Sequence, residues 1–471
     1  MKILSLKIVD FFKNNIFTQE SIKFALIPLI FANLVYIVAS YSYSSPRNVF
    51  IFLTTLVCIT GLFLNRFVFL FLLSIAIFLD AAVFVANFFQ MPLPMLLDSL
   101  QFLLEISWLQ SFTYMAVFGL LFATLLMTYR SVLTLKKNRD RISLFPVLIV
   151  TIIAGSADFL LNSPPKDVKQ LQLRLAETFE PIDDAASFKT GLAHLTETGE
   201  SPDFLIVMVE GLGAFKSQEY QDLVWGPLLG ARIREKYAAS QGTTHYFGST
   251  TSGEARELCN LKADYRDFRD KDMSDCLPYR VSASGYKTAA FHAFTERFFE
   301  RNDWFPKIGF QELYFLEHKV GLNADDPLPW CGLSFKGLCD TDVARSVEAY
   351  LTSDEVRPRF VYWLTLNSHK PVKPGEAPER LACEEGGVFG DRELCLMSEQ
   401  WLNISHLVER IALNEKLRKT EILLVGDHHP PLFTRKARSL FQPGKVAWLH
   451  LKSLDAAPAG RFAAAKQEFR D

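Results

Sequence analysis

Five short stretches of the sequence carry groups that can do chemistry, and four of them share a pattern. "FLIVMVEG" (204–211), "RFVYWLTLNSH" (359–369) and "TEILLVGDHH" (420–429) are apolar runs that end on Glu210, on His369 and on Asp427 with His428. "YKTAAFHAF" (286–294) ends more weakly on His292. A carboxylate beside an imidazole offers hard and borderline ligands, which suits zinc or manganese. The fifth stretch, "YFGSTTSGEARELC" (246–259), supplies hydroxyls. A threonine hydroxyl is a weak nucleophile at neutral pH unless a metal or base activates it. The small residues let such a loop approach an ion, and "GEAREL" can begin a helix whose amides attract an anion. A capping turn for that helix is the plainer reading of the same residues.

Near-continuous apolar runs of this kind suit central parallel strands covered on both faces. In such sheets ligands bind outside the carboxyl ends of the strands. The four strand ends would therefore gather, and residues 201–471 read as an α/β domain with a central, mostly parallel sheet. Residues 162–200, with Pro164 and Pro165, read as a linker and a lead-in helix.

Ahead of this domain the composition changes. The chain is 49% hydrophobic and 13% aromatic with a net charge of -2, which excludes a disordered protein and gives no basic bias toward nucleic acid. Residues 1–161 carry apolar runs at about 21–41, 48–64, 67–89, 108–130 and 142–161, each near the roughly 20 residues a spanning helix needs. The short second run meets the third at Asn65 and Arg66, so a four-span alternative stays open beside about five. Lys2, Lys7 and Lys13 precede the first run, and Arg130, Lys136, Lys137, Arg139 and Arg141 fill the fourth connection; Arg47 stands alone in the first. The positive-inside rule then puts the N-terminus in the cytoplasm and residue 162 onward outside. Cysteine usage agrees. Cys58 lies in a run, and the other six lie in the α/β part, where local pairs Cys259 with Cys276, Cys331 with Cys339 and Cys383 with Cys395 are expected. No GxGxxG or P-loop pattern points to a nucleotide.

"VEGLG", "TSGEARE", "FHAFTERFFERNDWFPKIGF", "LNSHKP" and "VGDHHP", in this order behind the apolar runs, make the chain resemble the sulfatase-like transferases of the alkaline phosphatase superfamily in bacterial envelopes. These are the lipoteichoic acid synthase group and the lipid A phosphoethanolamine transferases. The resemblance implies one divalent metal ion, Zn or Mn, held by Glu210, Thr251, Asp427 and His428, with Thr251 as nucleophile and Thr250 its rival. It implies that His369 contacts the phosphoryl group and that His292 and Arg301 contact substrate. Phe299 stands where the synthase group has tryptophan, and "DHHPP" departs from the "DHG" pattern of the phosphoethanolamine enzymes. The activity implied is transfer of a phospholipid headgroup, phosphoglycerol or phosphoethanolamine, through a phosphothreonine to an envelope glycan or lipid. The expected setting is a multi-pass bacterial inner-membrane protein with its C-terminal domain in the periplasm. A membrane-anchored phosphodiesterase or sulfatase-type hydrolase is the alternative, although no C-x-P-x-R-like motif surrounds Thr251; a non-catalytic scaffold is a third reading.

Overall fold

Backbone polar groups in a bilayer must be satisfied within the segment, which is why the apolar runs fold as helices. A computed structural model describes residues 17–40, 43, 45–89, 92–162, 179–192, 202–318 and 330–454. Lys2, Lys7 and Lys13 lie outside them. The chain divides into two compact units, Met1–Glu177 with Pro431–Ser439 and Thr178–Pro430 with Leu440–Asp471.

In the first unit the five runs give unequal helices. The first breaks into α1 (Gln19–Ala32) and α2 (Leu34–Ala39), and the second forms α3 (Asn48–Gly61). The last three form α4 (Arg66–Phe89), α5 (Phe112–Lys136) and α6 (Leu144–Asn162). Among the described residues three helices, α4, α5 and α6, are long and apolar enough to cross a membrane, against the five spans expected. The 14 residues of α3 reach only about 21 Å, short of a hydrocarbon core of roughly 30 Å. The break between α1 and α2 falls at Asn33, whose amide Nδ2 donates to the Leu29 carbonyl at 2.7 Å and so competes with the helical ladder. The expected tight turn is present, with Asn65 Oδ1 accepting the Phe67 and Val68 amides that open α4.

Arg47, which looks like an isolated loop charge in the sequence, is the centre of a buried cluster. Its Nε donates to Asp80 Oδ1 at 2.9 Å and its Nη1 to Asn33 Oδ1 at 3.0 Å, and its guanidinium lies 3.1 Å from the Tyr36 ring centroid. Its second bond to Asp80 makes the pair bidentate. Removing one partner strands a buried charge, whereas removing both need not. Asp80→Ala should therefore cost about 3–5 kcal/mol of stability, and Arg47→Met with Asp80→Leu much less. Unfolding midpoints in detergent micelles check this; equal losses in the two variants would contradict it.

In the second unit eight strands, among the described residues, form one sheet. The strands are β2 (Asp203–Val209), β3 (Gly213–Phe215), β4 (Tyr237–His245), β6 (Lys287–His292), β7 (Glu312–Tyr314), β8 (Arg359–Leu364), β9 (Thr420–Gly426) and β10 (Phe441–Ser453). A separate pair joins β1 (Glu180–Pro181) to β5 (Leu261–Lys262). The order is β3-β10-β9-β2-β8-β6-β7, with β4 also on β10. β9, β2, β8, β6 and β7 run parallel, and β10 runs antiparallel to its neighbours. The four strands expected from sequence are therefore adjacent, as β9-β2-β8-β6. In register, Ile206 of β2 lies between Tyr362 and Leu423. Phe204, Ile206 and Met208 share one buried cluster with Phe360, Tyr362 and Leu364, and with Ala255 and Leu258 of α8 (Thr250–Cys259). The alternate residues Leu205, Val207 and Val209 are buried as well, as a strand covered on both faces requires.

Part of the segment read as a linker is built into this unit. β1 pairs with β5, and the helical turn α7 (Ala186–Lys189) donates the Ala186 and Ser187 amides to the Glu257 carboxylate. Residues 163–178 and 193–201 lie outside the described residues. The three disulfides form as expected, Cys259–Cys276, Cys331–Cys339 and Cys383–Cys395.

Candidate active site

The strand ends converge through a set of backbone ties. Glu210, the first residue beyond β2, donates its amide to Thr365 Oγ1 at 3.0 Å, and its carbonyl accepts Ser368 Oγ at 2.7 Å and Trp401 Nε1 at 3.0 Å. Gly211 turns the chain with φ +67°, a conformation that favours glycine. That turn aims its amide at Asp427 Oδ1, at 2.7 Å, which also accepts the His428 amide at 2.6 Å. Asp427 Oδ2 is buried with no hydrogen-bond partner.

The imidazoles are oriented by carbonyls. His428 Nδ1 lies 2.9 Å from the His429 carbonyl, which can only accept, so in the neutral ring the proton sits on Nδ1. Its Nε2 stands 3.4 Å from both Asp427 Oδ2 and Glu210 Oε1. His369 Nδ1 faces the Lys370 carbonyl at 2.8 Å in the same way, and its Nε2 is 4.0 Å from Glu210 Oε1.

The hydroxyl comes from the start of α8. Thr250, its first residue, sets Oγ1 at 3.3 Å from Glu210 Oε2 and 3.5 Å from His428 Nε2. Thr251, the residue expected at the metal, is instead fully buried with its hydroxyl 3.2 Å from Ser249 Oγ. The reason is helical direction: consecutive residues point about 100° apart, so only one of the two can face the strand ends. Gly253 allows the close approach, because a Cβ there would lie 3.0 Å from Asp427 Cα. Arg256 fastens the same helix to β9, with Nη2 on the Gly426 carbonyl at 2.6 Å and Nη1 on the Asp427 carbonyl at 3.1 Å.

These residues fit a cation. Glu210, Asp427 and His428 each offer a ligand atom, and the three atoms lie within 4.8 Å of one another. The orphaned Asp427 oxygen and the two-oxygen, one-nitrogen donor set suit zinc or manganese. The ion-free electrostatics point the same way. Burial raises the Asp427 carboxyl above the ordinary carboxylate range, and Glu210 raises it further. Burial opposes a charge on His428, yet Asp427 and Glu210 raise its pKa to about 10. A proton there supplies the positive charge that an ion would bring, and ligation would release it.

Arg301 and Glu254 form a second buried group. Arg301 Nε lies 3.0 Å from Glu254 Oε1 and Nη2 3.1 Å from Oε2, while Nη1 donates to the Phe298 carbonyl at 3.1 Å. Tyr362 donates its hydroxyl to Glu254 Oε1 at 3.1 Å. Arg301, expected as a substrate contact, is thus committed to an ion pair in which both side chains are buried. Glu254 escaped the sequence reading because a glutamate in the first turns of a helix is ordinary. His292 ends β6, donates Nδ1–H to the Leu364 carbonyl at 3.0 Å, and is kept neutral by burial and by Arg301, its pKa lowered to about 3. Phe299 takes φ +56° and its carbonyl accepts Trp304 Nε1 at 2.9 Å. Glu254→Gln should cost about 3–5 kcal/mol by stranding the guanidinium. Denaturant unfolding of the full chain measures it; a loss below about 1 kcal/mol would mean that Glu254 does not carry the pair.

The carboxyl ends of a mostly parallel sheet thus gather two carboxylates, an imidazole and a helix-start hydroxyl. Residues 202–457 match the sulfatase family, and the chain belongs to that family. No curated protein matches its sequence. Solved structures similar to it include the lipoteichoic acid synthase LtaP from Listeria monocytogenes, at 15% identity over 54% of this chain and 66% of that one, with a TM-score of 0.38. The Streptococcus pyogenes phosphoglycerol transferase GacH in complex with sn-glycerol-1-phosphate is 14% identical over 58% and 77%, TM-score 0.39. The periplasmic domain of EptC from Escherichia coli, in complex with Zn, is 12% identical over 55% and 75%, TM-score 0.35. This chain spans just under two thirds of the synthase's length.

Proposed function

We propose that the protein transfers a phospholipid headgroup, phosphoglycerol or phosphoethanolamine, by way of a covalent phosphothreonine on Thr250. The observation that carries this is the Thr250 hydroxyl lying against Glu210 and His428, beside the orphaned Asp427 oxygen. Glu210, Asp427 and His428 would hold one divalent ion, Zn or Mn, which when bound stabilises negative charge on oxygen and lowers the pKa of a nearby hydroxyl.

Glu210 orients the Thr250 hydroxyl by accepting its hydrogen bond. Thr250 Oγ1 attacks the phosphorus, the bond from phosphorus to the diacylglycerol oxygen breaks, and that oxygen leaves with a proton as the alcohol. An acceptor hydroxyl on an envelope glycan or lipid then attacks the same phosphorus and returns Thr250. Burial keeps His369 neutral, and with Nδ1–H tied to the Lys370 carbonyl its bare Nε2 takes the proton that Thr250 loses and passes it to the departing diacylglycerol oxygen; the same ring relays the acceptor's proton back to Thr250. Arg301, its charge offset by Glu254, contributes its remaining N–H groups rather than a free charge. Positioning and electrostatics carry the chemistry.

The apolar helices suit a donor met at a membrane surface. The three disulfides and the positive charge around residues 130–141 support an inner-membrane anchor with the catalytic unit in the periplasm. The test presents full-length protein, with Mn or Zn, to vesicles of phosphatidylglycerol or phosphatidylethanolamine and measures diacylglycerol and headgroup products. Diacylglycerol from one lipid, at a rate raised by an added glycan or lipid hydroxyl, is expected. Free headgroup at a rate no acceptor changes would establish the phosphodiesterase alternative, and absence of both products would exclude either reading.

A further inference from the structure

His369 sits in a loop that two neighbouring residues hold from outside the catalytic cluster. The loop leaves β8 through Thr365, and the His369 amide closes a turn onto the Leu366 carbonyl at 2.8 Å. Asp340, at the start of α9 (Asp340–Leu351), is buried, and its carboxylate accepts the Leu366 amide at 3.0 Å and the Asn367 amide at 2.8 Å. The bond is returned, since Asn367 Oδ1 accepts the Asp340 amide at 2.7 Å. The preceding loop is closed by Cys331–Cys339 and carries Phe335, whose ring centroid is 3.9 Å from that of His369. Gly337 presses this loop between the two strand ends, where a Cβ would meet the Ala293 carbonyl at 2.3 Å and Leu366 Cδ2 at 2.6 Å.

A carboxylate that accepts two successive backbone amides fixes the path of that backbone, and a ring against an imidazole fixes its rotation. We propose that Asp340 and Phe335 are positioning residues for His369, setting where its Nε2 meets the reacting phosphate. The inference rests on the transfer reading above. Neither residue is hydrogen-bonded to a candidate metal ligand in the contacts described, but the loop they hold also carries Thr365 and Ser368, which bond the Glu210 backbone, so the test must isolate the part that passes through His369.

That claim is separable from a structural role by a double-mutant cycle on the full-length protein, with Mn and vesicles of whichever of the two phospholipids it turns over. Asp340→Asn should lower kcat by about tenfold or more with KM within about twofold, because small misplacements of a catalytic group are costly. In a His369→Ala background the same change should cost less than about twofold, since the group it positions is already gone. Phe335→Leu should follow the same pattern with a smaller first loss, and it carries the test if Asp340→Asn does not fold. The rate at which the Thr250 adduct appears gives a second readout, expected to fall with kcat. Losses that multiply undiminished on His369→Ala, or full activity in both single variants, would overturn the proposal while leaving the transfer reading intact. Full activity in Thr250→Ala would remove that reading, and the positioning proposal with it.

Discussion

Thr250→Ala is expected to lower turnover by at least about a thousandfold, the scale on which loss of a covalent nucleophile is felt. Thr251→Val should keep activity within about a factor of ten, because its hydroxyl bonds Ser249 and not the carboxylates. The contrast separates the two threonines, which are neighbours in sequence and both in the first turn of α8. Both variants should fold, since Thr250 makes no bond on which the sheet depends and valine keeps the shape of Thr251. Headgroup release by purified full-length variants in phospholipid vesicles decides the matter. The reverse ranking would return the nucleophile to Thr251.

Asp427→Asn should show the opposite signature in stability and in ion binding. In the ion-free protein Asp427 and Glu210 are buried carboxylates that repel each other, so the amide should leave the metal-free melting temperature unchanged or higher. Ion binding stabilises the folded state as RT ln(1 + [M]/Kd), about 2.7 kcal/mol at a hundred times Kd. The wild type, stripped with chelator, should gain melting temperature when Mn or Zn is returned. Asp427→Asn should lose most of that gain, with affinity reduced on the order of a hundredfold or more, since even residues behind the ligands are worth 10–100-fold. An equal metal-induced rise in the variant would take Asp427 out of the ligand set.

The sheet was the most legible part of the sequence. Four apolar runs long enough for buried strands and too short for helices point to strand ends that gather Glu210, His292 and Asp427, with His369 in the loop beyond the third; that the four strands are neighbours is seen only in the sheet order. Disulfide pairing was legible because the nearest partners are the ones that close. The choice between Thr250 and Thr251 was not legible, since it depends on the rotation of α8 against β9, which the Gly253 approach and the Arg256 bonds set. Glu254 and Asp340 were hidden for a related reason: each acts on a partner far along the chain, Arg301 in one case and the Leu366–Asn367 backbone in the other. In the apolar region composition located the runs, yet Asn33 and the buried Arg47–Asp80 pair show that hydropathy alone does not set helix length.

The most direct test of the central claim is to trap the covalent intermediate. Full-length protein is incubated with Mn or Zn and each phospholipid in the absence of acceptor, then measured by intact mass and peptide mapping. The account predicts a gain of one phosphoglycerol or phosphoethanolamine on Thr250, absent after chelation and absent in Thr250→Ala. Diacylglycerol released with the adduct on Thr251, or with no adduct at any time, would contradict it.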